Sequence, residues 1–378
     1  MRAMKRPGTP LPDTRLAHAG VTLRLRRWPR RRNETLRAWD GADLYLLDEM
    51  AAHGAAGWLV LNDQCGALAL AHPACHSSGD SWLARAAWLG NADDNQIAVA
   101  SDAWRWPDSA WPVAPEGVVV RVPKQLALLE YQLWRIATEL PVGTPVWLAW
   151  MDKHLPGNLL ALVRRYLPEL QLLRGRYKAH GLQAAVTGEA VPAPPYPSRV
   201  EVPEMGWTLL AHAGVFAQSQ LDIGARRFMQ HVPAGRTGRI VDLGCGNGVI
   251  GLLAAQRNPA AEVIFCDESW QAIQSARENA ARYARSAVAF HLGNGLDGLA
   301  GEFDLVLLNP PFHRGHAVDD GVAKVLFKQA AGKLAPGGEL RVIGNRHLRY
   351  EVPLRRYFGA VSVLEQGPKF TVFSARHR

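Results

Sequence analysis

The sequence predicts an α/β fold written twice: two tandem, mostly parallel, doubly wound sheets, the second carrying the chemistry and the first a degenerate copy. Three observations predict it. An apolar run ending at Asp242 and Leu243 passes into alternating glycines, Gly244, Gly246 and Gly248, and then into an amphipathic segment, the pattern of a strand, a tight turn and a helix. Strand-like and helical segments alternate beyond that turn, as a parallel sheet with crossover helices requires. Finally, short motifs of the first half return in the same order in the second, offset by about 180 to 190 residues, which indicates a duplicated domain and not a solenoid.

Composition bounds the possibilities. At 378 residues the chain exceeds what one core usually serves, so two domains are expected. A net charge of +9 and a pI of about 9.6 favour a polyanionic partner, RNA or DNA ahead of an anionic membrane. Cys65, Cys75, Cys245 and Cys266 have neither paired metal spacing nor a secreted disulfide pattern, so no metal and a reducing cytoplasm are expected. No apolar run reaches the roughly 18 residues of a membrane span, and the basic, Pro-rich start has no apolar signal core. A soluble, cytoplasmic monomer is the expectation.

Taken in order, residues 1–20 read as a flexible basic extension, because Pro7, Pro10 and Pro12 interrupt any periodicity. Residues 21–190 read as the degenerate domain. It opens with a strand from Val21 to Leu25 and an arginine run, Arg26, Arg27, Arg30, Arg31 and Arg32, around Trp28. Such a run suits either a solvated surface or RNA-backbone contact. A helix from Trp39 to Met50 and a buried strand from Trp58 to Leu61 follow. Asn62 to Leu68 then looks like a copy of the glycine turn that keeps one glycine, with Gln64 and Cys65 carrying side chains. Asp80-Ser81-Trp82 echoes Asp267 to Trp270, Lys153-His154-Leu155 echoes Arg346-His347-Leu348, and Arg164-Arg165-Tyr166 echoes Arg355-Arg356-Tyr357. Val118 to Lys124 echoes Val306 to Phe312, but Arg121 and Lys124 replace Asn309 and Phe312, a basic change that suits RNA docking.

Residues 191–200 read as an extended linker, since Pro192, Pro194, Pro195 and Pro197 exclude helix and central strand. Residues 201–378 read as the catalytic domain. Its segments are a strand from Trp207, an approach loop at Leu221 to Gly224, a helix from Ala225 to His231, and the glycine turn with a helix to Arg257. Next come a strand from Val263 to Cys266, a helix from Gln271 to Tyr283, and strands at Val288 to Leu292 and Phe303 to Leu308. Glu339 to Ile343 and Phe370 to Phe373 form final strands that include an antiparallel edge.

Three elements of that domain converge on chemistry. The pattern G-x-G-x-x-G at Gly246, Gly248 and Gly251 admits a dinucleotide, whereas Asp242 ahead of three alternating glycines suits a ligand bearing an ammonium group, as S-adenosylmethionine does. Asp267, at the end of the next strand, can accept both ribose hydroxyls of either ligand or simply cap a helix. Asn294, after the following strand, is placed to meet an adenine edge, or is an ordinary turn residue. The most specific element is Asn309-Pro310-Pro311-Phe312 after an apolar strand. Its prolines end the strand and leave carbonyls free. The Asn309 side-chain oxygen and the Pro310 carbonyl can accept the two N–H donors of an exocyclic amine, and Phe312 can stack on the base.

Asp242 to Gly248 together with Asn309 to Phe312 resembles the S-adenosylmethionine-dependent methyltransferases that modify exocyclic amines. The tandem halves resemble, more narrowly, the bacterial ribosomal RNA guanine-N2 methyltransferases. Leu221 to Arg226, Asp267-Glu268-Ser269, Asn309 to His313 and Asn345-Arg346-His347-Leu348 are closer to the large-subunit members than to the small-subunit ones. The resemblance runs from about Val21 nearly to the end. It implies two Rossmann-like class I methyltransferase domains, S-adenosylmethionine held by Asp242, Gly244, Gly246, Gly248, Asp267, Glu268, Asn294 and Asn309, and catalysis by Asn309, Pro310, Pro311 and Phe312. It also implies 23S ribosomal RNA as substrate ahead of 16S. Ala217-Gln218 departs from the Ser-Arg expected in that family, so no contact of that loop is carried over. Rival substrates are an adenine N6 and a protein glutamine amide, although the glutamine enzymes usually carry Tyr where Phe312 stands. An RNA-binding assembly protein without turnover is the non-enzymatic alternative.

Overall fold

The computed structural model describes residues 13–31, 34–54, 57–72, 74–154, 157–218, 220–310 and 320–377. The chain divides into two compact units, Met1–Pro194 and Pro195–Arg378.

The first unit opens with an antiparallel hairpin, β1 (Arg15–His18) and β2 (Val21–Arg24), followed by α1 (Gly41–His53), β3 (Leu59–Leu61), β4 (His76–Ser78), α2 (Trp82–Asp94) and β5 (Trp104–Arg105). It continues with β6 (Val118–Arg121), α3 (Leu126–Glu139), β7 (Pro145–Met151), α4 (Leu159–Tyr166), β8 (Gln171–Leu172) and β9 (Ala179–Ala185). The sheet order is β5-β4-β3-β6-β7-β9-β8. Its first five strands are parallel, and β9 and β8 close it antiparallel.

The second unit also opens with a hairpin, β10 (Ser198–Val202) and β11 (Trp207–Ala211), then α5 (Ile223–Met229), β12 (Arg239–Leu243), α6 (Val249–Arg257), β13 (Glu262–Asp267), α7 (Trp270–Tyr283) and β14 (Ala287–Leu292). β15 (Phe303–Leu308), α8 (Asp320–Ala331), β16 (Leu334–Asn345), α9 (Glu351–Tyr357), β17 (Ala360–Gln366) and β18 (Phe370–Arg376) complete it. The order β14-β13-β12-β15-β16-β18-β17 repeats that of the first sheet, with the same five parallel and two antiparallel strands.

The apolar runs explain the central strands. β12 and β15 are covered on both faces, which is why they read as almost continuous hydrophobics. Ile240, Val263, Phe265, Leu305 and Leu307 face one core, and Val241, Leu243, Ile264, Val306 and Leu308 face the other. Helices α2 and α7 start alike, Ser81 Oγ accepting from the Ala84 amide and Ser269 Oγ from the Ala272 amide. Each also carries a buried asparagine that clamps the hairpin. Asn279 exchanges two hydrogen bonds with Leu210 (2.8 Å each) and donates to the Asn247 carbonyl. Asn91 exchanges two with Arg26 (3.0 and 2.9 Å) and donates to the Cys65 carbonyl.

Some expectations change. The extension expected up to residue 20 ends earlier, because Arg15–His18 pairs with β2 and Leu16 is buried; Pro7, Pro10 and Pro12 lie outside the described residues. The linker expected to reach residue 200 stops where β10 begins at Ser198. β17 was not anticipated: as an edge strand with mostly exposed side chains and a bulge between Val363 and Glu365, it lacks clean alternation. Arg121, expected to face RNA, is instead held at 3.0 Å by Asp43 and 2.5 Å by Asp40, the two carboxylates of the α1 capping box.

Candidate cofactor and substrate site

The chain order of the second sheet reverses between β12 and β15. From β12 it runs outward to β13 and β14, then returns to place β15 on the other side. A crevice at the carboxyl ends of strands forms at such a switch point. The register puts Leu243, Cys266 and Leu308 level, so the glycine turn, Asp267 and Asn309 leave three adjacent strands side by side.

The turn is held by its own main chain. The Gly244 and Cys245 amides both donate to the Cys266 carbonyl (2.7 and 3.0 Å), and the Gly248 amide donates to the Cys245 carbonyl (2.8 Å). Gly244 and Gly246 have φ of 74° and 54°, and a Cβ added to either would meet no atom within 4 Å. Their faces are open backbone that a ligand can touch. Gly248 and Gly251 are glycines for packing, since a Cβ there would press on Phe265, at 2.4 Å in the case of Gly251.

Two carboxylates lie beneath the turn. Asp242 is 3 % exposed and accepts from the Gly251 amide at 2.7 Å. Burial pushes its carboxyl up to about 7, against the pull of the Gly251 amide and with a smaller push from Asp267. Asp267 accepts from the Ser269 amide on one oxygen and from the Gly246 amide on the other, each at 3.0 Å, and the Glu268 amide also hydrogen-bonds its carboxylate. Burial raises its carboxyl too, and those amides oppose the rise. Glu268 follows, half-buried before the α7 cap. Asn294 Nδ2 donates one N–H to Asp297 Oδ2 at 2.7 Å, and the Asn294 main-chain carbonyl accepts from Gln329 Nε2.

Asn309 and Pro310 stand directly after β15. Asn309 Oδ1 is buried with no hydrogen-bond partner among the described residues. A buried acceptor left without a donor costs about 1–3 kcal/mol. Pro311 and Phe312 lie outside the described residues. Asn345 ends β16, the neighbour of β15, and the Arg346-His347-Leu348 turn follows it at the same edge, tied by the Arg346 amide to the Lys369 carbonyl. Sequence reasoning missed Asn279, the buried clamp that supports the turn through the Asn247 carbonyl. Its signal was an asparagine at the same step of α7 as Asn91 of α2.

These residues fit S-adenosylmethionine: open glycine backbone, a carboxylate at the end of the neighbouring strand, and a second carboxylate under the turn. A pyrophosphate at the turn would meet the Asp242 carboxylate beneath it, which disfavours a dinucleotide, whereas Asp267 suits either ligand. Among the described residues there is no group of His, Cys, Asp or Glu able to hold a metal and no helix long and apolar enough to cross a membrane.

The same edge of the first unit is closed. The level positions Leu61 and Ser78 correspond to Leu243 and Cys266, which sets Gly79 where Asp267 stands and Arg121 where Asn309 stands. Asp63, 2 % exposed, fills the turn from inside: its two oxygens accept from the amides of Cys65, Gly66, Ala67, Leu68 and Ala69 at 2.8–3.3 Å. The anion-binding capacity of that turn is thereby used up within the chain.

Comparison with known proteins agrees with this architecture. A family model described as the RLMG N-terminal domain matches residues 13–187, and one described as the methyltransferase small domain matches residues 206–374. The chain is 51% identical over 374 residues to ribosomal RNA large subunit methyltransferase G of Alcanivorax borkumensis, covering 94% of this chain and 95% of that one. It is 43% identical to the protein of that name from Pseudomonas paraeruginosa, with 93% and 97% covered. Among solved structures, a T. thermophilus 16S rRNA N2 methyltransferase in complex with AdoMet and guanosine superposes with a TM-score of 0.75 at 21% identity, over 97% of this chain and 98% of that one, a likeness of fold. Two repeated doubly wound units, one open glycine cradle and near-complete relatives of one kind together make the chain a member of the ribosomal RNA large subunit methyltransferase G family.

Proposed function

We propose that the protein transfers a methyl group from S-adenosylmethionine to the exocyclic N2 of one guanine in 23S ribosomal RNA. The observation that carries this reading is the buried Asn309 oxygen, without a hydrogen-bond partner among the described residues, on the strand next to the open glycine cradle. The cofactor supplies, when bound, a sulfonium methyl as electrophile. Asp267, with Glu268 beside it, holds the ribose, Asp242 favours the ammonium, Gly244 and Gly246 admit it against bare backbone with Gly248 packed behind them on Phe265, and Asn294 serves the adenine edge. Asn309 Oδ1 and the Pro310 carbonyl accept the two N–H bonds of the amine, fixing its plane and turning its lone pair to the methyl. Positive charge then develops on nitrogen while those acceptors face it, so no strong base is needed and the proton leaves afterwards. Pro310 and Pro311 hold the carbonyl free, and Phe312 stacks on a base taken out of its helix. The choice of guanine rests on the resemblance of the tandem motifs, and that of 23S over 16S on the names of the relatives.

The second unit, from residue 201, acts as the catalytic domain, and residues 21–190 act as a lapsed copy that binds RNA. Asp63 and the glycine at position 79 support the lapse. Mass mapping of ribosomal RNA nucleosides from cells with and without the protein tests the activity. Loss of one N2-methylguanosine from 23S RNA is expected, and an unchanged map, or loss of N6-methyladenosine, overturns it.

A further inference from the structure

Closed to a cofactor, the first unit carries a basic loop over the same edge. Residues 26–37 include six arginines, whereas residues 212–222 of the second unit include no Lys or Arg. The two loops occupy matching places. Asn91 clamps Arg26 and the turn carbonyl of Cys65 as Asn279 clamps Leu210 and that of Asn247.

The described residues of this stretch, 26–31 and 34–37, line a cleft of about 310 Å³ with Arg26, Arg27, Arg30, Arg31 and Arg37, over a floor of Leu25 and Ala38. Its two lining acids are spent on main chain: Asp13 accepts from the Arg15 amide, and Glu34 from the Thr35 and Leu36 amides. Arg27 comes no closer than 3.9 Å to Glu34, and Arg26 no closer than 4.0 Å to Asp94, while Arg30 is fixed by Asp94 and the Gly90 carbonyl at 2.8 and 2.9 Å. Both ends of the loop are anchored, Arg24 and Arg26 by Asn95 and Asn91, and Asp40 by Arg121. Weakly paired guanidiniums on a fixed frame are donors without sufficient acceptors, and their planar forks match phosphate oxygens.

We propose that this cleft is a phosphate-binding site for a single-stranded segment of RNA, built where the first unit lost its cofactor site. It deepens the reading of the first unit as an RNA-binding copy and rests on it. The volume matches about one nucleotide, which suits an unpaired base better than a paired one, with the phosphodiesters on Arg27, Arg31 and Arg37 and exposed Leu36 at the rim for the base.

The test uses the full chain, a fluorescein-labelled single-stranded RNA of about 12 nucleotides, and anisotropy across a salt series. The triple variant Arg27→Gln, Arg31→Gln, Arg37→Gln is expected to bind about tenfold or more weakly, with a log–log salt slope shallower by about two. Its heat of S-adenosylmethionine binding stays that of the parent. A charge-matched triple on the second unit, Arg282→Gln, Arg285→Gln, Arg355→Gln, changes RNA affinity less than threefold, and replacing the three cleft arginines by Lys keeps most of the slope with part of the affinity. Unchanged RNA binding in the cleft variant, equal loss in the charge-matched control, or loss of inorganic pyrophosphate binding with RNA binding intact would each overturn the proposal. Because the readout needs no methyl transfer, arginine-dependent RNA binding by a protein that makes no N2-methylguanosine leaves the cleft standing and removes the activity reading instead.

Discussion

At the scale of single residues, the site depends on charges kept where water cannot reach them. Asp242 titrates near 7 because it is buried, so at neutral pH it is poised between its two forms. A ligand ammonium favours the carboxylate, and binding S-adenosylmethionine at pH 6.5 is therefore expected to release protons and to weaken as pH falls. Calorimetry in two buffers of different ionisation enthalpy reads this, and identical heats in both would contradict it. The same shift affects folding. The carboxyl ionises at a higher pH in the folded chain than in the unfolded one, so its contribution is full below about 4 and is lost as pH rises through about 7. Asp242→Asn should accordingly stabilise the ligand-free protein more at pH 8 than at pH 5, by about 2 kcal/mol in urea unfolding, while weakening the cofactor. Asp267→Ala should cost the cofactor about 1.5–3 kcal/mol in calorimetry if a charge-assisted bond to ribose is lost.

At the scale of elements, the decisive pieces are the turns after β12 and β3 and the helices that brace them. Asn279 holds β11 and the glycine turn together with three buried hydrogen bonds. Asn279→Ala leaves a buried amide and two carbonyls unpaired and is expected to cost about 2–4 kcal/mol of stability; a thermal midpoint within a degree of the parent would show that the clamp carries no weight. Much of this was legible in sequence. The strand–turn–helix at Asp242 to Arg257 was written in glycines and periodicity, and β15 was read to the residue because an apolar run met two prolines. The clamps were not legible, since an asparagine within an amphipathic helix looks like any polar residue until its partners are placed. Arg121 misled for a related reason. A basic residue reads as exposed, and only the fold brings Asp40 and Asp43 around it from far along the chain. β17 was lost because an exposed edge strand with a bulge carries no alternation.

At the scale of the whole molecule, one strand order built twice has one open ligand edge. Asp63 occupies the turn amides of the first unit, and glycine stands at position 79 where the second unit has Asp267. Calorimetry of the full chain with S-adenosylmethionine should therefore give one site, and two equivalent sites would contradict the assignment. The ordered series of motifs made the repeat visible, but which copy remained open was decided by where Asp63 folds back, a contact that spacing alone does not reveal. The account as a whole stands on the role proposed for the buried Asn309 oxygen, to accept from the substrate amine. The most direct measurement is methyl transfer from labelled S-adenosylmethionine to 23S ribosomal RNA by the purified protein and by its Asn309→Ala variant, with the product nucleoside identified by mass. N2-methylguanosine from the parent, and a rate about a hundredfold lower in the variant at nearly unchanged cofactor affinity, is the result expected. N6-methyladenosine as product, or full activity without the Asn309 side chain, would contradict it.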